Sequence, residues 1–464
     1  MRTRPCQHGV MTLTVDLDTL SEWLPRQRWY ATKGRVPRLR VIAAMAVPSP
    51  DPDAEIAVHL VIDEAHEAPV LYQVPVVSRS AAVDDGAGAL IGRSGDRWLY
   101  DGPHDAAYAQ ALVAAMADSA RVDVAGASLR GQVFSAPGRV TRAHVLSGEQ
   151  SNTSLVCEVE GGSTPTAIVK VFRVLHHGEN PDVTTQSALT AAGSHRVPAS
   201  LGALVGTWPD PGRADGQARG HLAFAQEFLS GLQDAWVVAR DAASRGEDFS
   251  IPARDLGVAV AEVHATLRGA LPVVPAGPAE IESALVSLRR RLAIAVREVP
   301  ALEPLAPRIE ALYRAIAGMA WPALQRIHGD LHLGQAVRSP ELGWVLLDFE
   351  GEPLRPMPER SRPDLPLRDV AGMLRSFDYV AGSLAQETPP IDAASWASTA
   401  RNAFLDGYVA ASGDDVRSRR ALLDAFEIDK AVYEAIYEVR NRPAWIGIPL
   451  TAITRLVERS SPPV

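Results

Sequence analysis

Two neighbouring stretches, HGDLHLGQ (328–335) and VLLDFEGE (345–352), decide how the chain is read. In the second, the apolar run VLL ends in Asp348-Phe349-Glu350, which places a carboxylate at the end of a strand. Eighteen residues earlier, Asp330 stands in a polar loop, with Gln335 five residues beyond it. Phosphoryl transfer needs a group that orients the acceptor hydroxyl and metal ligands that bridge phosphate oxygens. Asp330 suits the first task, and Gln335 and Asp348 suit the second. His328 and His332 are four apart, but HExxH is missing and Gly329 and Gly334 interrupt any helix that would carry both. The two histidines are therefore expected to fix the loop by hydrogen bonds. Paired carboxylates also serve glycoside hydrolysis, but that reading leaves the upstream lysine described next without a task.

Upstream, Lys170 sits inside AIVKVF (167–172), on a strand from which it can neutralise nucleotide phosphates as a point charge. Before it, SGEQSNTS (147–154) reads as a polar turn whose backbone N–H groups can face phosphate, with Ser151, Asn152, Thr153 and Ser154 as the contacts. GxxxxGK[ST] is absent, which excludes a P-loop NTPase, and no glycine fingerprint follows a strand as a βαβ dinucleotide fold requires.

Around these elements the front of the chain alternates short apolar runs with turns, as in IAVHLVIDE (56–64) and PVLYQVPVVSR (69–79), with a helix near 104–117. The cluster Arg26, Arg28, Trp29, Lys33 and Arg35 reads either as a recognition edge or, with Trp23 and Trp29 as core anchors, as charges that hold a lobe contact. The segment 222–235 is the expected connector between lobes. Beyond it, helical periodicity dominates, as in LGVAVAEVHATLR (256–268) and ALLDAFEIDKAVYEAIYEVR (421–440). A β-rich front and a helical back give an α+β, two-lobed architecture. Near the end, in a helical stretch, Tyr433/Tyr437 and Glu434/Glu438 pair at i,i+4 spacing, followed by Trp445. Carboxylates, hydroxyls and a Trp face suit a polyhydroxylated ligand. Tyrosines buried in the core and a Glu434–Lys430 ion pair account for the pattern equally well.

With 464 residues, of which 47% are apolar, there is enough chain for two or three packed units. A formal charge of -9 argues against a nucleic-acid surface. Cys6 and Cys157 have neither metal-ligand spacing nor the density of a disulfide scaffold. No apolar run reaches eighteen residues and the N-terminus lacks a signal-peptide pattern, so neither membrane insertion nor secretion is expected and the expected location is cytoplasmic.

At this level of detail the chain resembles the actinobacterial maltokinases, of the aminoglycoside-phosphotransferase-like branch of the protein-kinase-like superfamily. The resemblance runs from about residue 20 to 455. HGD and DFE are superfamily-level, whereas WLPRQRWYATKGR (23–35) and KAVYEAIYEVRNRPAW (430–445) are more specific. YQVPVV (72–77), YDGPHD (100–105) and LRDVAGMLRSFDYVAG (367–382) also belong to it. It implies a bilobal protein-kinase-like fold: an N-terminal cap over 1–90, a nucleotide-binding lobe over 91–235 and a helical acceptor lobe over 236–464. It also implies transfer of the ATP γ-phosphoryl group to the anomeric hydroxyl of maltose, with Mg²⁺, in a monomer or loose homo-oligomer. Residue by residue, Asp330 matches the catalytic aspartate, Gln335 and Asp348 the Mg²⁺ ligands and Lys170 the phosphate-contacting lysine. Glu434, Tyr437, Glu438, Arg440 and Trp445 fall in the sugar-site segment. Three departures stand out: YATKGR (30–35) stands where the family often reads FAGKGR, Thr184 occupies the position of the acid that pairs with the lobe lysine, so that Glu179 or Asp182 substitutes or Lys170 is held otherwise, and DAW (234–236) replaces DGW. A glucosamine or other amino-sugar kinase is the alternative within the class. An inactive kinase-like binding protein is the alternative outside it.

Overall fold

The alternating segments after Arg38 form a five-stranded antiparallel sheet of β1 (Leu39–Val47), β2 (Ala54–Asp63), β3 (Val70–Arg79), β4 (Leu90–Ser94) and β5 (Arg97–Asp101), in the order β1-β2-β3-β5-β4. The structure, a computed structural model, describes residues 13–83, 89–124, 126–146 and 152–460. It divides into two compact units, one comprising residues up to 183 plus 199–230, the other 184–198 plus 231 onward.

In the first unit, helix α1 (Leu17–Trp23) is capped by the Asp16 side chain, which accepts from the Thr19 N–H. Trp23 and Trp29 pack edge to face at 5.7 Å, both buried, as expected of core anchors. Tyr30 and Thr32 both donate to the Asp63 carboxylate, at 2.7 and 2.8 Å, so the YAT of YATKGR has a structural task. Helix α2 (Ala106–Ala117) leads into a second antiparallel sheet. Its strands are β6 (Arg121–Val124), β7 (Ala127–Val133), β8 (Arg139–Val145), β9 (Asn152–Glu160), β10 (Thr166–Phe172), β11 (Ser200–Pro209) and β12 (Gln217–Glu227), in the order β6-β7-β11-β12-β10-β9-β8. Helix α3 (Pro181–Ala191) follows β10 in the chain.

The motifs YQVP and YDGPHD stitch the two sheets together. Gln73 donates to the carbonyls of Phe172 and Leu222 at 3.0 and 2.9 Å. Arg173, fully buried, makes a bidentate pair with Asp101 at 2.9 and 2.6 Å and lies 4.5 Å over the Trp29 ring. A buried guanidinium is tolerable only when its donors are met in this way.

The second unit is mainly helical: α4 (Ala235–Ser244), α5 (Ser250–Ala270), α6 (Pro278–Glu298) and α7 (Ala306–Ala317) precede a hairpin of β13 (Ala336–Ser339) and β14 (Gly343–Leu346). Helices α8 (Met357–Arg360), α9 (Pro366–Ala385), α10 (Ala394–Ser412), α11 (Arg420–Asn441) and α12 (Gly447–Ser460) complete it. Helix α9 is buried along nearly its whole length and forms the centre of this unit's core. No described helix is long and apolar enough to cross a membrane.

Helices α5 and α10 touch backbone to backbone. A Cβ on Gly257 would stand 2.1 Å from the Phe404 carbonyl oxygen, and one on Gly407 2.0 Å from that of Arg254. Gly257→Ala must therefore push the helices apart. It is expected to cost about 1–3 kcal/mol, read as a lower urea midpoint; an unchanged midpoint would mean that the contact is soft.

Candidate active site

The hairpin β13–β14 brings the two signature stretches side by side in the second unit. Leu347 N–H donates to the Gln335 carbonyl at 2.8 Å, and the His328 Nε2–Leu347 carbonyl pair also closes at 2.8 Å. His328 packs on Phe349 with ring centroids 4.6 Å apart, and its Nδ1 accepts from the Asp330 N–H at 3.3 Å. His332 accepts from Gly334 N–H at 3.1 Å. Both histidines thus hold the loop, and among the described residues neither joins a cluster of metal-binding geometry.

What fixes the loop from below is Asp369, in the first turn of α9. Its carboxylate accepts from the backbone N–H groups of His328 and Gly329, both at 2.8 Å, and pairs with His264 Nε2 at 2.9 Å. Gly329 has φ +86°, a conformation that costs glycine little. Burial alone would raise the Asp369 pKa. The His264 hydrogen bond and the neighbouring positive charge outweigh it and hold the carboxyl below its ordinary range.

Gln335 and Asp348 come together, with the Gln335 amide N–H donating to Asp348 Oδ2 at 3.2 Å. Asp348 has φ +61°, the left-handed region, at the point where β14 ends and the chain turns. Such strain in a non-glycine residue is a mark of functional turns. The amide and carboxylate oxygens of this pair are hard donors of the kind Mg²⁺ takes, so the residues fit that ion.

Asp330 meets a partner that spacing did not reveal. Lys430 of α11 donates to Asp330 Oδ1 at 2.7 Å and reaches Glu352 at 3.4 Å. Burial would depress the Lys430 pKa, but the Asp330 and Glu352 carboxylates raise it above its ordinary value. The lysine is therefore a fixed cation beside the loop. Glu352, held by Arg291 at 2.6 Å, lies well below the usual carboxylate range: burial opposes ionisation and the surrounding cations overcome it.

Asp330 lines a cavity of 390 Å³ within the second unit. Of the expected sugar-site residues, Glu434, Tyr437, Glu438 and Trp445 line it too. Arg440 does not: it points away and pairs with Glu298 at 2.7 Å. The cavity's arginine is Arg442, which pairs with Glu438 at 2.6 Å and lies 4.6 Å over Trp445. Helix α11 ends at Asn441, so Arg442 is one turn beyond Glu438, while Arg440 lies on the opposite face. The Glu434–Lys430 pair is also replaced: Glu434 accepts two hydrogen bonds from Arg375, at 3.0 and 2.7 Å. Burial pushes the Glu434 carboxyl up, and Arg375 only partly opposes it. Trp236, from the DAW element, and Tyr379 also line the cavity.

In the first unit, Lys170 donates to Asp182 at 2.8 Å, with both side chains buried. Asp182, in the first turn of α3 and two residues before Thr184, is the acid that pairs with this lysine. Thr184 has another use, accepting from Arg326 at 3.0 Å. Of the expected phosphate turn, residues 147–151, including Ser151, lie outside the described residues. Asn152, Thr153 and Ser154 are not turn but strand β9, paired opposite Phe172, Val171 and Lys170. The Thr153 hydroxyl accepts from Arg173 at 2.8 Å. The ladder with β10 takes these residues, and Thr153 and Ser154 are buried in it.

Residues 23–105 match the maltokinase N-terminal cap domain family. A glucosamine kinase of Streptacidiphilus jiangxiensis is 30% identical over 446 residues, covering 89% of this chain and 95% of the relative. A glucosamine kinase of Mycolicibacterium smegmatis is 26% identical over 314 residues, covering 64% of this chain and 76% of the relative. A solved structure of a glucosamine kinase in complex with glucosamine, ADP and inorganic phosphate aligns with a TM-score of 0.68 at 27% identity, covering 96% of this chain and all of that one.

Proposed function

Since the chain belongs to the cap-bearing sugar kinases that include the actinobacterial glucosamine kinases, and is an ATP-dependent phosphotransferase, we propose that its acceptor is the anomeric hydroxyl of maltose. The observation that carries this reading is the charge state of the cavity beside Asp330. Its carboxylates already have cationic partners: Glu434 has Arg375, Glu438 has Arg442 and Asp330 has Lys430. An ammonium sugar needs an uncompensated carboxylate to offset its desolvation. A neutral disaccharide instead needs hydrogen-bonding groups and flat faces, which Trp236, Tyr437 and Trp445 provide. At 390 Å³ the cavity is in the range of small-molecule sites, roughly 300–1,000 Å³.

In this reading Asp330 aligns the hydroxyl and takes its proton as the O–P bond forms, while Lys430 holds the carboxylate in place. Lys170, fixed by Asp182, serves the nucleotide phosphates. Gln335 and Asp348 would hold Mg²⁺, which when bound screens the phosphate oxygens.

Glucosamine is the second reading. The names of the relatives favour it, and so does one atom: both hydrogen bonds from Arg375 fall on Glu434 Oε2, leaving Oε1 to receive an ammonium group. A panel separates the two. Purified protein with ATP and Mg²⁺ is offered maltose, glucose and glucosamine, and products are identified by ³¹P NMR. Maltose is expected to give a glycosyl 1-phosphate with a kcat/KM at least about tenfold above that of glucosamine, the factor that one unmatched charge contact brings. Phosphorylation of glucosamine with none of maltose would overturn the first reading in favour of the second.

A further inference from the structure

A second cavity in the same unit, 720 Å³ in volume, opens between α9, α10 and α12 and does not include Asp330. Five arginines line it: Arg375, Arg401, Arg420, Arg455 and Arg459. Two carboxylates, Asp378 and Asp392, share the lining.

The acids beneath these arginines are buried and act as anchors. Asp378, 9% exposed, takes Arg375, Arg401 and Arg455 at 2.9, 3.1 and 2.6 Å. Asp424, 4% exposed, takes Arg420 and Arg459 at 2.8 and 2.6 Å, and Glu427, fully buried, takes Arg401 at 2.7 Å. The cations at the mouth stay open to solvent: side-chain exposure is 51% for Arg455, 40% for Arg420 and 38% for Arg459. Buried carboxylates thus hold guanidinium groups that line the cavity and remain partly open to solvent. A guanidinium keeps five donors, and a single carboxylate cannot use them all.

We propose that this cavity binds a phosphorylated sugar at a site separate from the acceptor pocket. The three open guanidinium groups are planar forks whose paired donors can each meet two oxygens of a tetrahedral phosphate. Ser398, Asn402 and Thr451 on the same lining offer hydroxyl and amide groups for a polyol. The site rests on its own geometry and not on which sugar is phosphorylated at Asp330. Arg375 lines this cavity and links it to the other, bonding Asp378 here and Glu434, which lines the cavity beside Asp330.

Glucose 6-phosphate is the probe, titrated calorimetrically into the full chain with ADP and Mg²⁺ saturating the nucleotide site. One saturable site is expected, with inorganic phosphate weaker and glucose silent. Arg420→Ala combined with Arg455→Ala should weaken the binding at least tenfold, and Thr451→Trp should block it by filling the cavity without changing charge. Sugar-kinase turnover, measured on the same samples, reports that each variant is folded. No saturable binding, or binding that survives both variants, would overturn the site. Equal affinity for inorganic phosphate would overturn its sugar half.

Discussion

Asp330→Asn is expected to lower kcat by roughly 10²–10⁴-fold, the contribution typical of a positioned general base. The amide keeps the shape of the carboxylate and can still touch a hydroxyl, but it cannot take the proton. Its surroundings indicate that the loss would be chemical rather than structural. The loop is held by Asp369 and His328, neither of which depends on the Asp330 charge. Lys430 loses one anion and keeps Glu352. ADP affinity by calorimetry and the unfolding midpoint should therefore stay close to those of the parent. Normal turnover would remove Asp330 from the centre of the chemistry. A large drop in the midpoint would make it chiefly a partner for Lys430.

The parts of this site that were legible in the sequence are those in which neighbours in the chain are also neighbours in space. Gln335 and Asp348 stand at the two outer ends of a short hairpin, so a polar loop, a short apolar strand and a terminal carboxylate sufficed to pair them. The acid beside Lys170 was only half legible: the sequence left Glu179, Asp182 or another arrangement open, and the fold pairs the lysine with Asp182, in the first turn of the helix that follows. Lys430 was not: at i,i+4 spacing its evident partner is Glu434, whereas the fold offers it Asp330, a hundred residues away, and gives Glu434 to Arg375. Periodicity assigns a residue to a face, but the face does not name what packs against it. Arg440 and Arg442 fail for a related reason. Both carry the same charge, and it is Arg442, one turn beyond Glu438, that meets the cavity, whereas Arg440 on the opposite face pairs with Glu298. The strand character of 152–154 was hidden by composition, since Asn, Thr and Ser read as turn residues until the ladder with β10 claims them.

The largest stability effect is expected from Asp429→Ala. Asp429 lies on α11, and its carboxylate joins Arg291 at 3.0 Å to Arg368 at 2.8 Å. All three side chains are largely or wholly shielded from water, at 2%, 14% and 8% exposure. The same arginines hold the rest of a chain of charges: Arg368 bonds Asp364 at 2.8 Å, and Arg291 bonds Glu352, which in turn meets Lys430 beside Asp330. Alanine leaves two guanidinium groups facing each other with one anion fewer. Removing one member of a buried pair typically costs about 3–5 kcal/mol, because the remaining charge keeps its desolvation penalty and loses its compensation. Water can enter from the Arg291 side, the more exposed of the two, which favours the lower end of that range. Urea unfolding measures the loss directly, and Asp429→Asn separates charge from shape, since it retains an acceptor for one arginine and should recover part of the deficit. A loss below about 1 kcal/mol, the scale of an exposed pair, would mean that the network relaxes around the gap and that the carboxylate is not what holds α11 and Lys430 against the catalytic loop.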